Sequence, residues 1–290
     1  MTFDLTFGSR RVVRDRALVM AIVNRTPDSF FDKGATFDPA DALEAVRRAV
    51  GDGADIIDVG GVKAGPGEVV DEAEEVRRTV PFVETVRHAF PDVVVSIDTW
   101  RADVARQAVA AGADLVNDTW AGHEPELLDV VADLRCGFVC SHTGGVTPRT
   151  KPHRVGYDDV VASVVADTTS AAESLVARGV PRAGILLDPT HDFGKNTYHG
   201  LEILRRVDEL VATGWPVLMA ISNKSFLGET LGGVPVGERF PATLAATAVA
   251  ARAGAAVFRV HQVRETRQAL ELVASIRGDR PPARTLRGLV

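Results

Sequence analysis

The most constraining feature of the sequence is a unit that occurs eight times, a short Val/Ile/Leu-rich run followed by an amphipathic stretch of helical period. Apolar runs without polar alternation are typical of parallel strands that are buried on both faces. These runs span residues 17–24, 55–61, 93–99, 114–119, 137–143, 184–190, 216–222 and 257–263. The helical stretches span residues 40–51, 71–88, 101–111, 124–134, 158–177, 198–213, 241–253 and 265–277. Strands that alternate with helices pair in parallel through right-handed crossovers, and eight such units can close a sheet without an exposed edge.

We therefore predict an α/β fold, a TIM-type (β/α)8 barrel over residues 17–278, within a single domain that spans residues 1–290. Residues 3–13 alternate around Gly8-Ser9 and predict an N-terminal β-hairpin. The tail at 279–290 has no periodicity and predicts a surface strap. A doubly wound open sheet is the alternative fold. Eight near-equal units without a dinucleotide-binding glycine fingerprint favour the closed barrel.

The charge balance restricts the partners of the chain. Lys and Arg number 33 against 39 Asp and Glu, which gives a net charge of −6, and the sequence contains no basic block. Nucleic acids and anionic membrane surfaces both require a positive footprint, so we expect neither partner. The first residues lack the apolar run of a signal peptide, and no stretch approaches the ~20 apolar residues of a membrane helix. We therefore expect a cytoplasmic protein. Cys136 and Cys140 share an apolar run and are expected to pack in the core.

Polar or ionisable residues end every apolar run, at the rim where barrel enzymes place their active residues. For any one of them, a structural hydrogen bond is the simpler explanation, but eight such strand ends on one face favour a site. These residues are Asn24, Asp58, Asp98, Asn117, Asp118, Ser141, His142, Asp188, Ser222, Lys224, Arg259 and His261.

The side chains at this rim fall into two chemical groups. Asp98, Asn117 and Asp188 suit a flat heterocycle with several N–H donors and a carbonyl. Arg259, His261 and Asn24 suit a phosphate-like anion with a metal ion near Asn24. Lys224 suits either group.

The strings at these strand ends resemble the signatures of the dihydropteroate synthase family, and the likeness covers nearly the whole chain. Residues 24–30 match the first signature except at Arg25, where Val is usual, and residues 53–61 match the second. Residues 96–99 followed by 112–118 match the third. Residues 188–189, 193–195, 222, 224–228 and 259–261 complete the series.

The resemblance implies a function in folate biosynthesis. Members of the family are transferases that join 4-aminobenzoate to a hydroxymethyl-dihydropterin diphosphate. The reaction releases diphosphate and forms dihydropteroate. It implies a small-molecule pterin site formed by Asp98, Asn117, Asp188 and Lys224. It assigns the diphosphate and Mg²⁺ to Asn24, Arg259 and His261, with Asn24 at the metal. Catalysis would rest on Lys224, Arg259 and His261. The aminobenzoate side would be formed by Lys63, Pro66, Phe193, Ser222 and Asn223. The family also forms homodimers through its last helices, so we expect a homodimer.

The departures from the family pattern are concentrated on the aminobenzoate side. After Gly60-Gly61 the family has Glu-Ser-Thr-Arg-Pro-Gly, whereas residues 62–67 read Val-Lys-Ala-Gly-Pro-Gly, so a Thr and an Arg are lost. The family's Gly-x-Gly is Thr190-His191-Asp192, its Ser-Arg-Lys carries Asn223, and Gln262 replaces an Asp. We therefore predict a divergent second copy that retains the pterin contacts and has weak or absent synthase activity.

These departures also change the local charge. The losses of Arg at 65 and 223 and the gain of Asp192, offset by Lys63, predict a shift of about two units toward negative. We expect 4-aminobenzoate to bind poorly, and uncharged sulfone or sulfonamide drugs to bind in the same ring slot. Loops 28–37 and 62–70 contain Gly34, Gly65, Pro66 and Gly67 and few apolar anchors, so both are expected to be mobile without ligand.

Three other functions stay open. The first is a working synthase in which Lys63 replaces the lost loop Arg. The second is the related corrinoid methyltransferase pterin barrel, although nothing in the chain supplies its cobalamin partner. The third is a non-catalytic pterin-binding or regulatory protein.

Overall fold

A computed structural model describes residues 2–27, 34–150 and 155–287 of the chain. Two antiparallel strands, β1 (Phe3–Phe7) and β2 (Arg10–Arg14), precede a series in which parallel strands alternate with helices. The parallel strands are β3 (Leu18–Asn24), β4 (Ile56–Gly60), β5 (Val94–Asp98), β6 (Leu115–Asp118), β7 (Gly137–Ser141), β8 (Ile185–Asp188), β9 (Leu218–Met219) and β10 (Val257–Val260). The helices are α1 (Pro39–Gly51), α2 (Glu72–Ala89), α3 (Ala102–Ala110), α4 (Glu126–Leu134), α5 (Val160–Ala177), α6 (Thr197–Arg205), α7 (Val207–Ala212), α8 (Ser225–Thr230), α9 (Phe240–Ala253) and α10 (Val263–Arg277).

The parallel strands close into a barrel. They pair in the order β8-β7-β6-β5-β4-β3-β10-β9. The two ends of this sheet meet at a bridge between Leu187 and Val217, where the Leu187 N–H donates to the Pro216 carbonyl at 2.9 Å. The predicted barrel is confirmed, and the open sheet is excluded.

Two apolar layers hold the barrel together. One fills its interior, and the other lies between the strands and the surrounding helices. The interior layer consists of Leu18, Met20, Ile56, Val94, Leu115, Val139, Leu186, Leu218 and Val257. Above this layer the register brings polar strand ends level with one another, since Asp58 pairs with Ser96, Asp98 with Asn117, and Ser141 with Asp188. The carboxyl ends therefore form one polar rim above an apolar floor.

The N-terminal hairpin closes the opposite end of the barrel. Phe7 is fully buried, and with Leu5 and Val12 it joins the interior apolar layer. In the tail, residues 281–287 are exposed, and Arg280 pairs with Glu271 at 3.4 Å. Cys136 and Cys140 are buried free thiols, as predicted.

Helix α5 is the one helix in the described part of the chain that is long and apolar enough to cross a membrane by length and composition. Its buried residues include Val160, Val164, Ala172 and Leu175. They belong to the layer between the barrel and the helices. Packing against the barrel therefore accounts for the apolar face of α5.

The structure differs from the predicted elements at three main places. The predicted strand 216–222 is regular only at Leu218–Met219. The predicted helix 198–213 divides at Arg206 into α6 and α7. The short helix α8 was not predicted. Its first N–H groups, those of Ser225 and Phe226, donate to the Asp192 carboxylate, which lies more than 30 positions earlier in the chain. A cap supplied from that distance leaves no local sequence signal.

Candidate functional site

Asp58 is the centre of the polar rim. Asp58 lies in the middle of β4, and its side chain is fully buried. It accepts hydrogen bonds from Ser96 Oγ at 2.6 Å, Asn117 Nδ2 at 3.2 Å and Arg259 Nε at 2.6 Å. A buried carboxylate is stable only when its oxygens are paired in this way. The resemblance assigned no role to Asp58, although its predicted position at a strand end placed it among the candidates.

Arg259 joins Asp58 to a second carboxylate. Its Nη2 donates to Asp98 at 2.7 Å, and Asp98 also accepts from Thr119 Oγ1 at 3.0 Å. Burial raises the pKa of Asp98 to about 6, although Arg259 opposes that shift. Asp98 is therefore mostly ionised at pH 7. Asp58 thus contacts Asn117 and Arg259 directly, and Arg259 in turn contacts Asp98.

Asp188 and Lys224 lie at the same rim, on the side of β8 and α8. Asp188 is buried and accepts the Thr190 N–H at 2.7 Å, and burial raises its pKa to about 6. Lys224 precedes α8, and its Nζ lies 4.6 Å from the centroid of the Phe193 ring. Burial lowers the pKa of Lys224. Asp98 and Asp188 therefore offer carboxylate oxygens to the N–H donors of a ligand. Lys224 and Arg259 are the two cations nearby.

The residues predicted for an anion lie at the ends of β3 and β10. Asn24 ends β3 beside Gly60. A Cβ placed on Gly60 would lie 3.7 Å from the Asn24 side-chain oxygen and 3.7 Å from an Asp98 carboxylate oxygen, so both oxygens lie near the same point. Burial, together with the charges of Arg259 and Lys224, lowers the pKa of His261 to about 3, so the imidazole is neutral at pH 7. Ser222 Oγ accepts the His261 N–H at 3.3 Å. Among the residues described, no three His, Cys, Asp or Glu side chains form a group that could hold a metal ion.

The loop after β4 is attached to two neighbouring loops. Arg149 Nε donates to the Gly65 carbonyl at 3.3 Å, and Arg101 Nη2 donates to the Val70 carbonyl at 2.7 Å. Lys63 lies in the same loop, and Pro66 is exposed. Arg149 was not among the predicted site residues, because its contact with Gly65 joins positions 84 apart. Relative to the family pattern this loop lacks its Arg, but the Arg149 guanidinium lies beside it.

The turn before Phe193 keeps a glycine-type backbone without the glycines. Thr190 has a φ of 52° and Asp192 a φ of 69°, the two positions at which the family has Gly. Left-handed backbone costs an L-residue roughly 1–2 kcal/mol. Gly194 follows, where a Cβ would collide with the Thr143 carbonyl. The two substitutions therefore add side chains to the turn and strain to its backbone, while the turn itself is retained.

The Asp192 carboxylate lies at the start of α8. It accepts from the backbone N–H of Ser225 and from that of Phe226, the latter at 3.3 Å. Phe193 follows Asp192 in sequence, Lys224 precedes Ser225, and the Lys224 ammonium contacts the Phe193 ring. A fixed negative charge thus lies on the side of the rim that the resemblance assigned to 4-aminobenzoate.

Asn223, which was also predicted for that side, is held by buried hydrogen bonds. It is fully buried, its N–H donates to Thr243 Oγ1 at 3.0 Å, and its Nδ2 donates to Gln262 Oε1 at 3.3 Å. Two departures from the family pattern, Asn for Arg and Gln for Asp, therefore contact each other. One lost positive charge is matched by one lost negative charge. When the Glu lost at Val62 is counted as well, the gains and losses on this side cancel, so the expected shift of about two units is corrected to about zero. What changes is the position of the charge, since a negative group now stands at Asp192.

Arg25 shows the consequence of a third departure. Its buried guanidinium donates to the carbonyls of Thr36 and Phe37, at 2.8 and 2.5 Å, and lies 4.9 Å from the Phe82 ring centroid. Residues 34–37 are therefore tied to the barrel. Residues 28–33 of the loop that was expected to be mobile lie outside the described part of the chain, and mobility at 62–70 stays a prediction.

Similarity to known proteins agrees with this geometry. A family model described as pterin binding enzyme matches residues 20–261. The chain belongs to this family. It is 36% identical to Yersinia pestis dihydropteroate synthase, whose crystal structure with a sulfonamide drug superimposes with a TM-score of 0.89 over 96% of this chain and 100% of that one.

Two relatives from Mycobacterium leprae place the chain within the pterin binding enzyme family. It is 61% identical over 284 residues to inactive dihydropteroate synthase 2, with 97% of each sequence covered. It is 38% identical over 264 residues to dihydropteroate synthase of the same organism, with 89% and 92% covered. The prediction of a divergent second copy is confirmed, since the chain is more similar to the protein named inactive than to the synthase.

Proposed function

We propose that the protein binds a pterin at the carboxyl rim of the barrel and condenses it with 4-aminobenzoate weakly or not at all. One observation carries this proposal. The contacts on the pterin side converge through Asp58, while the Asp192 carboxylate lies at the start of α8 next to Lys224 and Phe193. One half of the family's site is thus retained and the other half changed.

The pterin side suits an aminopyrimidine ring. Asp98 and Asp188 are buried carboxylates that accept N–H groups, and charge-assisted bonds of this type are about twice as strong as neutral ones. Ring N–H groups compete with Arg259 for Asp98. Once it is displaced from Asp98, the Arg259 guanidinium pairs with a phosphate oxygen of the ligand. The ion pair with Asp98 and the assignment of Arg259 to the diphosphate are therefore compatible.

The second side suits a carboxylate poorly. The charge of Asp192 faces an incoming carboxylate, and its oxygens already accept the two N–H groups at the start of α8. An uncharged ring in the same place avoids the repulsion. Sulfone or sulfonamide drugs therefore bind better than 4-aminobenzoate in this proposal.

Asn24 fits a role in holding Mg²⁺. Mg²⁺ keeps several waters and usually takes one or two protein oxygens together with substrate phosphates, so a single amide oxygen beside Asp98 suffices. The ion would neutralise charge on the diphosphate. His261 and Arg259 would hold the remaining phosphate oxygens.

A homodimer through the last two helices is part of the proposal. Helices α9 and α10 pack on each other and leave Val249, Leu272 and Ile276 more than half exposed. Exposed apolar side chains clustered on one face indicate a protein interface. A closed twofold dimer is the commonest soluble assembly.

A working synthase is the second candidate, and Arg149 is the observation that favours it. With Lys63 it brings positive charge to the loop that lost its Arg. Calorimetry separates the two candidates. Titration with the pterin diphosphate, followed by 4-aminobenzoate added to the saturated protein, is expected to show micromolar binding of the first and none tighter than about 1 mM of the second. Micromolar binding of both would support the synthase, and no pterin binding would overturn the proposal altogether.

A further inference from the structure

A second cavity lies beside the pterin side, between the barrel and helices α4 and α5. Its volume is about 400 Å³. Phe138, Cys140 and His142 form its inner wall, since alternate side chains of a strand share a face and these three point away from the barrel interior. Asp167 and Ala171 of α5 line the outer side. None of these residues has been given a role in pterin or aminobenzoate binding.

The two helices are linked by an ion pair, in which Arg178, the residue after α5, pairs with Asp129 in the first turn of α4. Near the rim, the loops after β6 and β7 surround the gap with Gly122, Gly144 and Gly145. The cavity is therefore a built feature of this part of the barrel and has its own mouth.

His142 supplies an unsatisfied acceptor in this wall. Its side chain is fully buried, and its Nε2 lies 3.0 Å from Ser163 Oγ and 3.4 Å from Asp167 Oδ2. A carboxylate only accepts, so Nε2 carries the proton and Nδ1 carries the lone pair. Within the described chain, Nδ1 is buried without a hydrogen-bond partner. Because Nδ1 has almost no accessible surface, a ligand N–H would reach it only after the imidazole rotates toward the cavity.

The charge and the aromatic wall define the ligand further. The described residues that line the cavity include the acids Asp118 and Asp167 but no Lys or Arg. Trp120 forms another wall, and its indole is held edge-on by Trp100 and Phe193, at ring centroid distances of 6.4 and 5.0 Å. An aromatic face next to carboxylates attracts a flat cation.

We propose that this cavity is a second small-molecule site, which takes a compact aromatic cation of the amidine or protonated aminoheterocycle type. Asp167, whose side chain is 62% exposed, pairs with the cation at the mouth, and His142 accepts an N–H once its imidazole has rotated toward the cavity. Trp120 separates this ligand from the pterin side and contacts Phe193, on which Lys224 lies.

Benzamidine is the probe, and its uncharged analogue benzamide is the matched control. Benzamidine is titrated into the full chain at pH 7.5 and its binding is monitored by ligand-observed NMR. We expect a Kd of about 1 mM or lower, which is ordinary for a fragment of this size. Benzamide should bind at least about tenfold more weakly. Equal binding of the two compounds would overturn the requirement for a cation.

Variants locate the binding site of the probe. Asp167→Asn should weaken benzamidine binding at least about fivefold, whereas Glu173→Gln, an equal charge change on an exposed part of α5, should not. Ala171→Phe should abolish binding by filling the cavity. Asp188→Asn should leave the affinity unchanged. If Asp188→Asn weakens binding and Asp167→Asn does not, the probe occupies the pterin side and the second site is refuted.

Discussion

Replacement of Asp192 by Gly tests the charge on the second-substrate side. Two unit charges about 8 Å apart at an effective dielectric of about 20 repel by roughly 2 kcal/mol. Solvent screening at this half-exposed carboxylate reduces the effect to about 1 kcal/mol, or fivefold in Kd. Loss of the cap on α8 costs about 1 kcal/mol of folding free energy, which relief of the positive φ offsets. We therefore expect tighter aminobenzoate binding at nearly unchanged stability.

The assay is calorimetric titration of 4-aminobenzoate into the pterin-saturated variant. Asp192→Asn is the matched control, because Asn tolerates the same backbone and can still accept an N–H while it removes the charge. Equal gains in Asp192→Gly and Asp192→Asn would assign the effect to charge, and a gain in Gly alone would assign it to space. If neither variant binds aminobenzoate more tightly than the parent, the reasoning from charge is wrong.

Three further predictions concern stability and assembly. Burial raises the pKa of Glu75 to about 7, so the folded chain holds this proton more tightly than the unfolded chain. Its contribution to the free energy of unfolding therefore falls by about 3 kcal/mol as pH rises from 4.5 to 7. In urea titrations across this range Glu75→Gln should lose that dependence, whereas Glu72→Gln should keep it. Asp58→Ala leaves Arg259 with one of its two carboxylates and should lower the free energy of unfolding, measured by chemical denaturation, by about 3–5 kcal/mol. A loss below about 1 kcal/mol would contradict the central role of Asp58. Leu272→Glu should convert a dimer to a monomer in light scattering, and a parent protein that already has the mass of one chain would refute the dimer.

The barrel and its polar rim could be predicted because both depend on local patterns. Eight apolar runs separated by helical stretches determine the parallel strands, and the residues that end each run share one rim whatever the details of packing. Asp98, Asn117 and Arg259 were placed correctly at that rim on this basis. Their mutual contacts, which depend on Asp58, needed the strand register.

The second-substrate side could be predicted only in part. The sequence shows that Asn223 and Gln262 replace charged residues of the family. Only the folded chain shows that the two side chains contact each other across 39 positions. The same applies to Asp192 and α8, which a distant carboxylate caps. Side-chain direction at a loop depends on neighbours that are remote in sequence, and local patterns do not contain that information.

Diphosphate release tests the central claim most directly. The purified chain is incubated with the pterin diphosphate and Mg²⁺, and the initial rate is measured with and without 4-aminobenzoate, in a sample whose pterin binding has been measured by calorimetry. Ordinary enzymes turn over on the order of 10 times per second. We predict a pterin-bound protein whose aminobenzoate-dependent release is at most about a hundredth of that rate. Release at an ordinary enzyme rate would show that the chain is a working synthase and would contradict the account.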